Sequence, residues 1–296
     1  MHQNHTLPTL PQQPEQTAWP TAAWPVAGLA NTVDAAALNG LLDHAFSDPA
    51  PEIMGETHAF LAVHKGCIVS ERYWRDLSAA NTFPSWSEAK SITHALIGIL
   101  AREGRIDVHA PANVPEWQAE DDPRRHITLD QLLRMSSGLK FAEDYVDAGV
   151  SDVIEMLFGA GKEDVAGFAA GFPLAHEPGT TWSYASGTSN IVARCAATTL
   201  GAKGDEFKAW MFDELFNPIG IQSAEPKFDA HGTFIGSSFC YATARDFARF
   251  GLLYMRDGVW DGRRILPEGW VDYARTPTVT PPTEPLGYGA HWWLGM

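Results

Sequence analysis

The sequence is short of three things, and each shortage excludes something. Three cysteines, Cys67, Cys195 and Cys240, are scattered over 296 residues. An odd, widely spaced set gives neither a disulfide framework nor a CxxC metal pattern, so a reducing, cytoplasmic setting without metal or cofactor is expected. Basic residues are the second shortage. Twenty-one Lys and Arg stand against 36 Asp and Glu, a formal net charge of −15, and the only small basic clusters are "PRRH" at 123–126 and "GRR" at 262–264. Such a chain repels nucleic acid and anionic membranes. Third, no stretch approaches the ~18 apolar residues of a membrane span, and the first twenty residues lack the apolar core of a secretory signal. HExxH is missing as well. "GAGK" at 159–162 is no nucleotide loop, because no glycine stands five residues before Gly161 and Glu163 replaces the hydroxyl that would hold magnesium.

What is present suits one large globular unit. Hydrophobic residues make up 45% of the chain, with 11 Trp and 15 Phe among them, enough for a core and for apolar pocket walls. Residues 1–33, rich in Pro and Gln and without periodicity, read as an extended arm lying on the surface of a domain spanning 34–296. Residues 34–46 have helical spacing. "THAFLAVHKGCIVSERYW" reads as a β-hairpin turning at Lys65-Gly66. From Ser87 to about Glu103, Ala89, Ile92, Leu96, Ile99 and Leu100 recur near a 3.6-residue period, and Gly104 is a natural stop. Thr128 to Gln131 has the form of a capping box. Further helices are expected around 151–158, 189–199, 205–216 and 244–257, the last capped by Thr243, and another with Pro267 in its first turn. The end, "LGYGAHWWLGM", reads as a strand. The whole is an α/β arrangement in which the hairpin needs strands from far along the chain.

One stretch carries chemistry. In "PSWSEAKSITH" (84–94), Ser87 and Lys90 are spaced i and i+3, one turn apart on one helix face. A serine hydroxyl needs a neighbouring base, and a partly buried lysine with a lowered pKa can serve. The tetrapeptide alone is weak, since the polar first turn of an ordinary helix looks the same. Ser85 is the rival nucleophile, but no lysine follows it at that spacing. Glu88 points off this face, toward solvent or a salt bridge. In "PGTTWSYASGTSN" (178–190), Tyr184 precedes a helix. Its phenol could relay a proton if an ammonium depressed its pKa, or it could be a buried tyrosine whose hydroxyl caps a turn. Cys240, between aromatics in "SFCY", reads as packed. Trp182, Trp292, Trp293 and Phe239 are candidates for an apolar acyl pocket or for core.

Four ordered segments together resemble a known family. "SEAKSIT", "ITLDQLLRMSSGL", "PGTTWSYASGTSN" and "YATARDFARFGLLYMRDG" are similar to successive elements of the serine hydrolases that include class C β-lactamases, penicillin-binding proteins and family VIII carboxylesterases. "RILPEGWVDYAR" and "GYGAHWW" follow in the right order. The resemblance covers roughly residues 55–296, and "GLKFAEDY" and "YASGTSN" push it toward the 6-aminohexanoate-dimer hydrolase and esterase branch. It implies a β-lactamase-like/transpeptidase fold, an α+β antiparallel sheet flanked by helices with a mostly helical subdomain at approximately 87–235. It further implies Ser87 as nucleophile, Lys90 as its base, Tyr184 as second acid/base, and the Ser87 backbone N–H as one oxyanion donor.

Ser186 stands where class C β-lactamases carry an Asn that contacts the substrate amide. Ester or small linear amide substrates are therefore expected over β-lactams, with Ser186, Trp182 and Phe239 as substrate-binding candidates. The family's third element, of K-T-G or H-x-G type, would follow "GYGAHWW", where the sequence ends. The expectation is that a C-terminal fragment, separate or continuous, completes the sheet and the oxyanion hole. Oligomeric state is left open. The rival reading is a catalytically silent member that binds a ligand or partner, and a weak β-lactamase is a second alternative.

Overall fold

The computed structural model describes residues 7–146, 151–278 and 287–294. Local signals place most of its elements. Helix α1 (Ala35–Ala45) starts where the Asp34 carboxylate accepts the Ala37 N–H. Strands β1 (Ala59–His64) and β2 (Cys67–Tyr73) pair antiparallel. They are joined by Lys65 and Gly66 at φ 51° and 78°, the left-handed pair a two-residue hairpin turn demands. Helix α2 (Glu88–Arg102) ends before Gly104, at φ 68°. The capping box at Thr128 forms in full and opens α3 (Leu129–Leu133). Helices α4 (Asp152–Phe158), α5 (Val165–Ala170), α6 (Ser186–Leu200) and α7 (Asp205–Met211) follow, the last running into a wider π-helical turn over Phe212–Phe216. Thr243 caps α8 (Ala244–Met255) as its sequence predicts.

Helix α2 lies at the centre. Its pattern predicts one apolar face, yet every residue from Ala89 to Leu100 except Ser91 is buried. Polar groups inside it need partners, and all but His94 Nε2 have them. Thr93 donates to the Gly236 carbonyl at 2.9 Å, and His94 Nδ1 meets the Tyr254 hydroxyl at 2.8 Å. Helix α6 packs beside it. A small sheet the sequence does not announce, β3 (Thr82–Phe83), β5 (Cys240–Thr243) and β4 (Glu225–Pro226) in that order, ties the approach to α2 to the residues before α8. β6 (Val259–Trp260) and β7 (Arg263–Arg264) form a short hairpin. Among the described residues β1 pairs with no strand but β2.

Residues 7–33 cross this body through a series of turns, with no helix or strand of their own. A proline-rich segment makes no internal ladder, so its carbonyls must find donors elsewhere. Pro11 and Pro20 carbonyls accept from Arg256 and Arg249 at 2.8 and 2.7 Å. Residues 25–27 bond to both faces of the Ile68 peptide, at 2.9 and 3.0 Å, and Trp24 is buried.

Two expectations are corrected. Residues 287–294 form a turn, not a strand. Tyr288 bridges Trp293, Gly289 N–H reaches the Trp292 carbonyl, and His291 sits at φ 55°. The alternation in "GYGAHWW" reflects side chains plugged into the core, His291 and Ala290 being buried. Pro267 lies outside α9 (Trp270–Arg275), whose preceding residue is Gly269 at φ 78°. Glu88 is exposed, as its position on the helix predicts, beside His58, Phe83 and Phe247 in a surface depression, and partial desolvation there raises its pKa.

Candidate active site

Ser87 is presented by a strained turn. Strand β3 leads into Pro84 and Ser85, and the Ser85 hydroxyl is taken up by backbone: it donates to Ser238 O at 3.2 Å and accepts from Cys240 N at 3.0 Å. The sequence's rival nucleophile is thus a clamp between this loop and β5. Trp86 follows at φ 42°, a conformation that costs a bulky residue energy and is commonest at functional turns. Ser87 is the N-cap of α2, but its hydroxyl caps nothing. It accepts instead from Lys90 Nζ at 3.3 Å.

Lys90 is 1% exposed. Its ammonium also donates to Ser186 Oγ and to the Ser237 carbonyl, each at 3.0 Å. Burial pulls its pKa from 10.5 down to about 8, against the charge of Glu143, which pushes it back up. Ser237 is held in turn by Asn190 Oδ1, which accepts its N–H at 3.1 Å.

The Tyr184 loop is splinted by "MSSGL". Ser183 N–H reaches Met135 O at 2.8 Å, Gly179 N–H reaches Ser136 O at 2.7 Å, and Leu139 bridges Leu174. A side chain at Gly138 (φ 78°) would place Cβ 2.2 Å from the His176 carbonyl oxygen, so this splint requires glycine. The Lys90 ammonium lies over the Tyr184 ring, 4.8 Å from its centroid. The ammonium does not depress the phenol. Burial pushes Tyr184 up to about 12, with hydrogen bonding to Ser87 pulling it partly back and the Glu143 charge adding to the rise.

Helix α6 starts three residues earlier than its hydrophobic spacing indicates, so Ser186 is its first residue. Glu143 accepts from the Ser186 N–H at 2.7 Å and from its hydroxyl at 2.5 Å. The Tyr145 hydroxyl also donates to Glu143. Ser87, Lys90, Tyr184, Ser186 and Glu143 therefore form one connected group, built from three separate stretches of chain. A family model described as Beta-lactamase matches residues 52–296. The chain belongs to the beta-lactamase family.

That family is of the serine-hydrolase type. The 6-aminohexanoate-dimer hydrolase of Paenarthrobacter ureafaciens is 27% identical to this beta-lactamase-family chain over 230 residues, 73% of this chain and 56% of that protein. The chain thus spans about half the length of the curated relative it matches. Among solved structures, a Bacillus anthracis protein provisionally named as a 6-aminohexanoate-dimer hydrolase superposes with a TM-score of 0.72 at 24% identity, over 96% of this chain and 75% of its own. A penicillin-binding protein homologue from Pyrococcus abyssi gives 0.66 at 15% identity, over 88% and 65%. A family VIII carboxylesterase gives 0.55 at 16% identity, over 73% and 68%. These likenesses establish the beta-lactamase/transpeptidase-like fold.

Beside Ser87 the beta-lactamase-family chain opens a cleft of about 510 Å³, lined by Trp86, Tyr145, residues of α4, Ser186 and Ser238. Of the substrate-binding candidates read from sequence, Ser186 lies in it. Phe239 stands behind it, 5.6 Å from the Trp86 ring and 6.2 Å from Phe158. Trp182 is placed elsewhere, in an aromatic cluster with Tyr184, Tyr288 and Trp293. Trp292 packs on Tyr254, ring centroids 4.4 Å apart. Glu143, Asn190 and the Ser237 carbonyl were not singled out in the sequence, since none stands at a fixed spacing from Ser87. Among the described residues no group of three or more His, Cys, Asp or Glu could hold a metal ion. No helix among them is long and apolar enough to cross a membrane.

Proposed function

We propose that this chain is a serine hydrolase cleaving carboxylic esters or small linear amides through an acyl-enzyme on Ser87, with Lys90 as base and Tyr184 as acid. The observation that carries the reading is the set of partners around Lys90. The Ser237 carbonyl can only accept. The Ser186 hydroxyl commits its proton to Glu143, so it too accepts from Lys90. A neutral Lys90 amine has two N–H bonds for these two acceptors and one lone pair left, directed at Ser87 Oγ. At a pKa of about 8, a useful fraction of the neutral form exists near neutral pH.

Lys90 takes the Ser87 proton as Oγ attacks the carbonyl carbon, and the oxyanion forms near the Ser87 N–H at the head of α2. The carbon–leaving-group bond then breaks. With a pKa near 12, Tyr184 is protonated and suited to give its proton to the departing oxygen or nitrogen, regaining one from the Lys90 ammonium. Water attacks the acyl carbon in the second half, losing its proton to the same pair; the acyl carbon–Oγ bond then breaks as that proton passes to Ser87 Oγ, releasing the acid and free Ser87. The relatives' names, a 6-aminohexanoate-dimer hydrolase and a carboxylesterase, support simple amides and esters as substrates.

Ester hydrolysis should exceed β-lactam hydrolysis. Ser186 is engaged with Lys90 and Glu143 and offers no side-chain amide to a substrate amide. The kcat/KM for p-nitrophenyl butyrate is expected to exceed that for a chromogenic cephalosporin by about 100-fold or more. Comparable values would contradict the assignment.

The charge of Glu143 also predicts a pH shift. It stabilises the Lys90 ammonium, so its removal in Glu143→Gln lowers the Lys90 pKa further. The ascending limb of kcat/KM, which reports the free-enzyme base, should move to lower pH in the variant. An unmoved limb, or one moved to higher pH, would show that Lys90 is not the titrating base.

A further inference from the structure

The cleft beside Ser87 is far more apolar than proton transfer requires. Val153, Ile154, Leu157 and Phe158 line one side from a single face of α4, and Trp86 lines it as well. Phe158 and Trp86 are 59% and 56% exposed. Two large aromatic side chains left open at the mouth of a concave apolar site mark a binding surface. A helix with no ligand to meet would carry polar residues there.

Charge narrows what fits. Among the described residues no lysine or arginine lines the cleft. Glu143 sits at its inner end, tied to Ser186 and Tyr145, both of which do line it. An anionic substrate group would meet no cation there and would face a fixed carboxylate, in a chain of net charge −15. Tyr184, the proton donor to the leaving group in the reading above, is not in this wall. Its ring packs among Tyr288 and Trp293 at 5.9 and 5.3 Å. The leaving group belongs beside Tyr184, and the acyl part is left with the cleft.

We infer that the cleft between Trp86 and α4 is the acyl-chain site, selecting apolar acyl groups longer than acetyl and rejecting acyl chains that end in a carboxylate. The inference rests on the serine hydrolase reading. The test uses the whole chain and three sets of p-nitrophenyl or alkyl esters. In the first, the acyl group lengthens from acetyl to hexanoyl, and kcat/KM should rise about 10- to 100-fold. In the second, the p-nitrophenyl monoester of adipic acid, equal in length to the hexanoate but ending in a carboxylate, should react at least about 10-fold more slowly than the hexanoate. In the third, acetate esters of lengthening alcohols should show a much weaker dependence. Phe158→Ala, at a half-exposed position where folding is least at risk, should flatten the acyl series, and Phe158→Arg should narrow the gap between adipate and hexanoate. Rates that are flat with acyl length, equal for the charged and neutral chains, or governed by the alcohol would overturn the acyl-site assignment while leaving the hydrolase reading intact. Failure to hydrolyse any ester, with no adduct on Ser87, would overturn both.

Discussion

Replacing Ser87 with alanine is expected to lower kcat by about 10⁴-fold or more, the scale on which other serine hydrolases lose activity without their nucleophile. The fold should survive, because the Ser87 hydroxyl caps no helix and its side-chain hydrogen bonds, to Lys90 and Tyr184, stay within the site. A Ser85→Ala variant provides the contrast. It removes a buried hydroxyl that links the loop to Cys240 and Ser238, so it should lower thermal stability by about 1–3 kcal/mol and leave the chemistry of the folded fraction far less affected. Kinetics on the two variants, each with a melting curve, separate the roles. A Ser87→Ala enzyme retaining a tenth of its activity would exclude an acyl-enzyme at that position.

The second large effect is the coupling of Lys90 and Tyr184. Lys90→Ala and Tyr184→Phe should each cost about 10²–10⁴-fold in kcat, the usual range for general acid–base groups. The double variant should be little worse than the poorer single one, because the two act on one proton shared with Ser87. The contacts agree with such coupling: Lys90 Nζ lies 4.8 Å from the centre of the Tyr184 ring, and both residues hydrogen-bond Ser87. Independent groups would instead multiply their losses. Losing Lys90 also leaves the Ser237 carbonyl without its donor, so the comparison requires circular dichroism and melting data for each variant. Simple additivity among folded variants, or full activity in Tyr184→Phe, would contradict the coupled role.

Much of this site was legible because it is local. Ser87 and Lys90 are one helical turn apart, and the helix that holds them announces itself by period and by Gly104. Lys65-Gly66 specifies its own turn, and Thr128 with Gln131 its own cap. What was not legible depends on distant chain. Glu143 reaches Ser186 from 43 residues away in sequence, through a loop with no periodic signal. The high pKa of Tyr184 follows from burial among Tyr288 and Trp293, over a hundred residues further on, so its neighbours in sequence do not reveal it. The tail reads as a strand because alternation in "GYGAHWW" does not distinguish a pleat from a turn that inserts successive side chains into a core. Phe158, more than half exposed in the cleft wall, reads in sequence like the end of one more amphipathic helix. Its role depends on Trp86 standing across from it, and no spacing rule links the two.

The central claim is a covalent intermediate on Ser87, and mass spectrometry of the trapped enzyme tests it most directly. The chain would be incubated with an alkyl fluorophosphonate, digested and mapped. The account predicts one adduct, on a peptide whose fragments place it at Ser87, with formation accelerating as pH rises through the Lys90 pKa near 8. An adduct on Ser85 or elsewhere, or none at all in a preparation that still hydrolyses esters, would contradict it.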